Sequence, residues 1–379
     1  MIGLRLLHVL AGCDHSLTAT GALPLLHRLR RSGHEVGVLC HGGARVGELA
    51  GEGMSVFHAR RGRFPWWFSR RRDLLERLAR WNPDLLHVHD LEMLPLALTM
   101  ARPLGVPVIA ACHELVHGDD DTTRPLHDPR IAWVVVPSEV HRAHAISRIG
   151  LERDRVTVLP YGVDLEAVTT NVARSPGPLT VGAVAPEGHV DALAPLFTAL
   201  AELQRDAVPL RAVIAATLAD GDTLRAMLVA AGLTGVVEVL IDQPLRTLVH
   251  RIDLFVHGDR QGDVAQAVVE AMAAARPIVA IAAGGITDLV HDGANGLLVG
   301  ADDVAALTAA LRSLLADPAR ARTLGRAGRQ TVAERFDLDL ITEAAVELYR
   351  NAASGSGSTN ARAEGTTIYR RITEMRLKA

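Results

Sequence analysis

Apolar, β-branched runs bounded by turn residues recur along the first half of the chain and alternate with segments whose apolar residues fall at helical spacing. LRLLHVLAG at 4–12 predicts a strand, and 21–31 predicts a helix. HEVGVLCHG (34–42), DLLHVHD (84–90), VPVIAACHE (106–114), AWVVVPS (132–138) and VTVLPYGVD (156–164) predict further strands. Strands alternating with helices form βαβ units, which build a parallel sheet covered on both faces. Periodicity then fails over 165–178, LEAVTTNVARSPGP, and the closing Pro/Gly cluster predicts a linker. The alternation restarts at LTVGAVAP (179–186), LRAVIAAT (210–217), VVEVLID (236–242), IDLFVHGD (252–259) and RPIVAIAAGG (276–285). Helical patterns at 302–316, 318–334 and 337–350 close the globular part.

The expected architecture is α/β, with two doubly wound parallel-sheet domains at 1–165 and 166–350. Residues 351–379 read as a flexible Gly/Ser segment and a short helix with Ile368, Ile372 and Met375 on one face. Ligands of such domains lie beyond the carboxyl ends of the strands, so a cleft between two facing domains is the expected site.

Composition narrows the function classes. A chain of 379 residues can bury two cores, and 49% hydrophobic with 22% charged residues is ordinary for a globular protein. A net charge of −3 favours neither nucleic acid nor an anionic membrane. Lys378 is the only lysine, so a missing lysine has to be judged by whether arginine stands in for it. Cys13, Cys40 and Cys112 have no metal-type spacing and read as reduced thiols of a cytoplasmic protein. Arg5 and His8 interrupt the apolar start, which argues against a signal peptide. The apolar stretch 264–283 holds Gln266, Glu270, Arg276 and Pro277, so it predicts a buried helix and strand and no membrane span.

Neither GxGxxG after the first strand nor GxxxxGK[ST] is present, which removes support for dinucleotide oxidoreductases and P-loop enzymes. HGDDDTTR (117–124) reads as an acidic, solvated loop or a metal site. RRGRFPWWFSRRR (60–72) mixes arginines with aromatics. It is either a basic surface loop or, like the C-terminal tail, a contact for a peripheral membrane or protein partner.

The most informative segment is 268–299, VVEAMAAARPIVAIAAGGITDLVHDGANGLLV. Its pieces E-A-M-A (270–273), R-P-I-V-A (276–280), G-G-I-T-D (284–288) and H-D-G-A-N-G-L-L-V (291–299) resemble glycosyltransferase family 4, the group 1 glycosyltransferases. LERDRVTVLPYGVD (151–164), LLHVHD and IAACHE resemble other parts of that family, so the likeness runs over about residues 1–350. It implies the GT-B fold, two Rossmann-like domains facing across a cleft. It also implies a nucleotide-sugar donor, an unidentified acceptor, and neither metal nor cofactor.

Glu270 would open an apolar helix, where a carboxylate can accept hydrogen bonds from ribose hydroxyls; its rival reading is a helix N-terminal acid favoured by the dipole. Gly284 and Gly285, with Ile286 beside them, would bring backbone amides close to the donor diphosphate, or form a turn that binds nothing. Gly12 and Gly21 would approach the donor phosphates after the first strand, or be ordinary turn glycines. His113, at the end of a strand, matches the family histidine near the reacting sugar. His87 and His89 share one strand face and would line the acceptor side or act structurally.

Three positions depart from the family. In VGAVAPEGHVD (181–191), Ala183 stands where arginine is expected and Gly188 where lysine is expected. Gly262 stands where a glutamate is expected eight residues before Glu270, with Asp263 adjacent and Ala265 replacing a glycine. His189, Arg260 and Arg211 are candidate replacement cations. Two functions follow: a retaining glycosyltransferase, or a catalytically inactive relative that binds a partner. A sugar-nucleotide epimerase would need the same cations and is disfavoured.

Overall fold

The computed structural model describes residues 3–14, 17–59, 66–113, 123–168, 178–186, 188–258, 266–354 and 368–378. The chain forms two compact units, Met1–Gly162 with Leu338–Ala379, and Val163–Asp337.

The first unit is built on β1 (Arg5–Val9), β2 (Glu35–Cys40), β3 (Ser55–His58), β4 (Leu85–Val88), β5 (Val108–Ala111), β6 (Ile131–Val136) and β7 (Val156–Val158). They form one parallel sheet in the order β3-β2-β1-β4-β5-β6-β7. The strands are short and apolar on both faces because helices cover both sides: Leu6, Leu7 and Val9 are all fully buried. Strand order reverses between β1 and β4, where His8 lies in register with His87. This is the switch point at which a doubly wound sheet opens a crevice.

The helix expected at 21–31 begins earlier, at Leu17, and runs to Arg31. The C-terminal helix Leu338–Ala353 belongs to this unit, although the sequence pattern suggested the second domain for 337–350. The reason is packing: Leu340, Ile341, Ala344, Leu348 and Tyr349 share an apolar cluster with Leu23 and Leu26 of the helix Leu17–Arg31. The tail is also more than a flexible end. Its helix Ile368–Lys378 buries Ile368 and Ile372 in the same cluster; residues 355–367 and the side chain of Met375 lie outside those described. Ile368 and Ile372 are therefore packed within the chain.

The second unit repeats the plan with β8 (Leu179–Val184), β9 (Leu210–Ala216), β10 (Val237–Ile241), β11 (Leu254–His257), β12 (Ile278–Ile281) and β13 (Leu297–Val299). The parallel order β10-β9-β8-β11-β12-β13 reverses between β8 and β11. The linker predicted at 165–178 falls largely on 169–177, outside the described residues. So do 60–65 of the basic aromatic segment, 117–122 of the acidic loop, and 259–265 with Arg260, Gly262, Asp263 and Ala265.

Candidate functional site

In the second unit the candidate site residues begin with Glu270. The helix Gln266–Ala273 follows β11, and all eight of its residues are buried. Seven of them need no charge there, yet Glu270 is only 8% exposed. It sits in the second turn and does not open the helix, so the dipole argument, which holds within the first turn, does not account for it. Burial pushes its carboxyl above the usual range, Arg246 and a hydrogen bond with Gln266 pull it back, and Asp164 adds to the rise. A buried carboxylate whose charge is only partly offset is suited to accept hydroxyl donors from a ligand. Arg246, on the helix Leu245–Arg251, is the cation the sequence reading missed. It is 24 residues away in sequence and only the fold brings it near Glu270.

The glycines after β12 form a turn. Gly284 has φ +49°, and Gly285 leads into the short helix Ile286–Leu289. Ile286 is fully buried and its amide is bonded to Ala283, which assigns its side chain to the core. The HDGANG segment is likewise structural. Asn295 accepts from the His291 amide at 2.7 Å and donates to Leu289 and to Thr331, each at 3.0 Å, while Asp292 accepts from the Leu298 amide.

Two of the three positions read from sequence as departures, Ala183 and Gly188, are described. Ala183 lies inside β8, paired with Ile214 and 1% exposed in the apolar cluster, so this position has no room for a cation. Gly188 has φ +72°, a left-handed conformation that favours glycine over lysine. Its amide donates to the Asp220 carboxylate at 3.2 and 3.3 Å, and Thr217 Oγ1 donates to the same group at 2.7 Å. A carboxylate thus holds the loop after β8. Arg211, the second residue of β9, lies at the amino end of the sheet, which rules it out as a replacement cation beyond the carboxyl ends. His189 is exposed on the loop itself.

In the first unit, His113 follows β5 and stacks on Tyr161, with ring centroids 4.5 Å apart and planes 29° apart. Its Nε2 is buried without a hydrogen-bond partner among the described residues. Burial, with the charge of His141 adding, pushes it down to about 4, so the ring is neutral at pH 7. Tyr161 also bonds His89 Nδ1 at 3.0 Å, and Tyr349 bonds His87 Nδ1 at 2.7 Å. His87 and His89 are each 2% exposed, and burial holds both well below the usual histidine range. They do structural work and do not line an open acceptor surface.

Gly12 follows β1, and a Cβ there would come within 2.9 Å of Asp14 Oδ2. The neighbouring Ala11 amide donates to Asp90 Oδ2 at 2.7 Å, tying this loop to the end of β4. Gly21 is different. It lies within the helix Leu17–Arg31, where a Cβ would stand 2.6 Å from Tyr161 Cγ. Its lack of a side chain makes room for the ring.

Residues 18–167 match the family model Glycosyltransferase Family 4, and residues 177–331 match Glycosyl transferases group 1. The chain is 30% identical over 345 residues to the GDP-mannose-dependent alpha-mannosyltransferase of Mycolicibacterium smegmatis, covering 83% of this chain and 88% of that protein. The chain belongs to the group 1 glycosyltransferases. This glycosyltransferase is also 29% identical over 300 residues to a glycogen synthase of Mycobacterium tuberculosis, with 73% and 70% of the two chains covered. Its fold matches a glycosyltransferase from Rickettsia africae with a TM-score of 0.77 at 15% identity, covering 94% and 100% of the chains. Anabaena HepE, solved with UDP and glucose, gives 0.77 at 17% identity, covering 91% and 98%. At such identities the likeness to the glycosyltransferase is one of GT-B fold.

Proposed function

We propose that this glycosyltransferase takes a hexosyl group from a nucleotide-sugar donor and passes it to an acceptor hydroxyl with retention of anomeric configuration. In that reaction the acceptor oxygen bonds the anomeric carbon while the bond from that carbon to the diphosphate oxygen breaks. The acceptor proton leaves with the departing diphosphate. The observation that carries the reading is Glu270, a buried carboxylate in an apolar helix with Arg246 beside it. It would hold the ribose, and the turn at Gly284 and Gly285 would lie against the diphosphate. A neutral His113 suits hydrogen bonding to a sugar hydroxyl; it cannot act as a cation towards the leaving group at pH 7. The donor site would need no metal, and Gly12 would allow close approach of the donor on the first unit.

A second reading, a relative that binds nucleotide without transfer, is favoured by the loop after β8. There a core alanine and a glycine held by Asp220 stand at the positions where the family resemblance leads us to expect cations. Loss of phosphate cations removes stabilisation of the leaving group, which is where such catalysis resides. The test that separates the two is release of nucleoside diphosphate from a panel of nucleotide sugars. Transfer predicts turnover that His113→Ala lowers while nucleotide affinity is unchanged. Nucleotide binding without release from any donor, with and without simple sugar acceptors, would favour the second reading.

A further inference from the structure

We propose that His8, His87 and His89 are the ligands of a structural divalent transition-metal ion, of the Zn²⁺ class, in the core of the first unit. The placement follows from strand geometry. His8 on β1 pairs in register with His87 on β4, and the two-residue period of a strand puts His89 on the same face as His87. One ring nitrogen from each of the three lies within 4.8 Å of the others. His8 Nδ1 and His89 Nε2 are 2.9 Å apart. Zinc–imidazole bonds near 2.05 Å at a tetrahedral angle set ligand nitrogens about 3.3 Å apart. The first pair would therefore open by roughly 0.4 Å, and the third ring would move in by about 1.5 Å or less.

The surroundings suit ligands better than ordinary core residues. Metal-bound histidines use their second nitrogen to donate to an outer group that fixes the ring. His87 Nδ1 meets the Tyr349 hydroxyl and His89 Nδ1 meets the Tyr161 hydroxyl, which leaves Nε2 of each ring to carry the lone pair. His87 Nε2 and His8 Nε2 are buried without a hydrogen-bond partner among the described residues, which is uncommon for interior ring nitrogens. A metal ion on His87 Nε2 gives one of them a partner. Three neutral imidazoles without a carboxylate or thiolate select zinc, copper, nickel or cobalt over calcium and magnesium. The ion would clamp β1 to β4 at the switch point. Through Tyr349 it would also fix the returning C-terminal helix, and through Tyr161 the ring on which His113 stacks.

The test uses the full chain, stripped by chelation and reloaded with Zn²⁺ or Co²⁺. One equivalent per chain should remain after desalting, and chelation should lower the melting temperature. His87→Gln and His8→Gln should lose the equivalent. His27→Gln, which disrupts the exposed group of His27, Glu48 and Glu52, should keep it. X-ray absorption at the zinc edge of the wild-type chain should show imidazole nitrogens as the dominant shell, and this reading stands even if the His87 variant fails to fold. No retained metal in the wild type, an oxygen-dominated shell, or retention that depends on His27 overturns the assignment.

Discussion

Replacing Gly21 by alanine separates packing from ligand approach, because the two readings predict opposite signs. Alanine in a helix interior is favoured over glycine by about 1 kcal/mol. If Gly21 served only a ligand, Gly21→Ala would stabilise the protein. The structure predicts the reverse. The new methyl would stand 2.6 Å from Tyr161 Cγ and 2.8 Å from Cε2, against an ordinary carbon contact of about 3.5–4.0 Å. Cδ2 of the same ring is nearer still, so the ring would have to retreat by about 1.5 Å, and overpacking of this kind costs about 1–3 kcal/mol. Retreat also stretches the 3.0 Å bond from Tyr161 to His89, worth about 1 kcal/mol. The net expectation is a loss of about 1–3 kcal/mol. All four tryptophans, Trp66, Trp67, Trp81 and Trp133, lie in the first unit, so their fluorescence in urea reports that unit alone. In a Tyr161→Ala background the obstacle is gone, and Gly21→Ala should now stabilise by up to about 1 kcal/mol. A single variant more stable than wild type, or an equal loss in both backgrounds, would refute the packing assignment.

Other expectations follow from buried charge. His113 has its pKa lowered from 6.5 to about 4, so the unfolded chain binds its proton first as pH falls. The associated stability is present above pH 6.5 and is lost as pH falls towards 4, by up to about 3 kcal/mol. Tryptophan-monitored unfolding of wild type and His113→Asn over that window checks it; equal pH slopes would count against it. Ala183→Arg, which by sequence would restore a family cation, buries an unpaired charge in the β8 core instead. It should cost about 3 kcal/mol or more and leave nucleotide affinity in calorimetry no better.

Much of the fold was legible because parallel strands covered on both faces leave short, apolar, β-branched runs, as in LRLLHV and AWVVV. β3 (SVFH) and β13 (LLV) were not read as strands: β3 carries the exposed His58, and LLV closes the turn-rich HDGANG segment. The helix Leu338–Ala353 was visible as a helix, but periodicity says nothing about which sheet it covers. Only the packing of Tyr349 against the first unit decides that. At the site, Glu270 stood out by chemistry, a carboxylate among apolar neighbours. Arg246 carried no signal because its closeness to Glu270 is purely three-dimensional. The pairing of His87 and His89 was readable from alternation. Their convergence with His8 depends on strand register, and the contact with Tyr349 spans 262 positions.

Calorimetry of nucleoside diphosphates and nucleotide sugars binding to wild type and Glu270→Gln tests the donor-site claim most directly. One nucleotide should bind the wild type, and the variant should bind it about 10- to 100-fold more weakly, through loss of charge-assisted bonds worth about 1.5–3 kcal/mol. The variant should also melt higher, because a buried charge has been removed. Equal affinity in the two proteins, or no affinity of the wild type for any nucleotide, would contradict the donor-site claim.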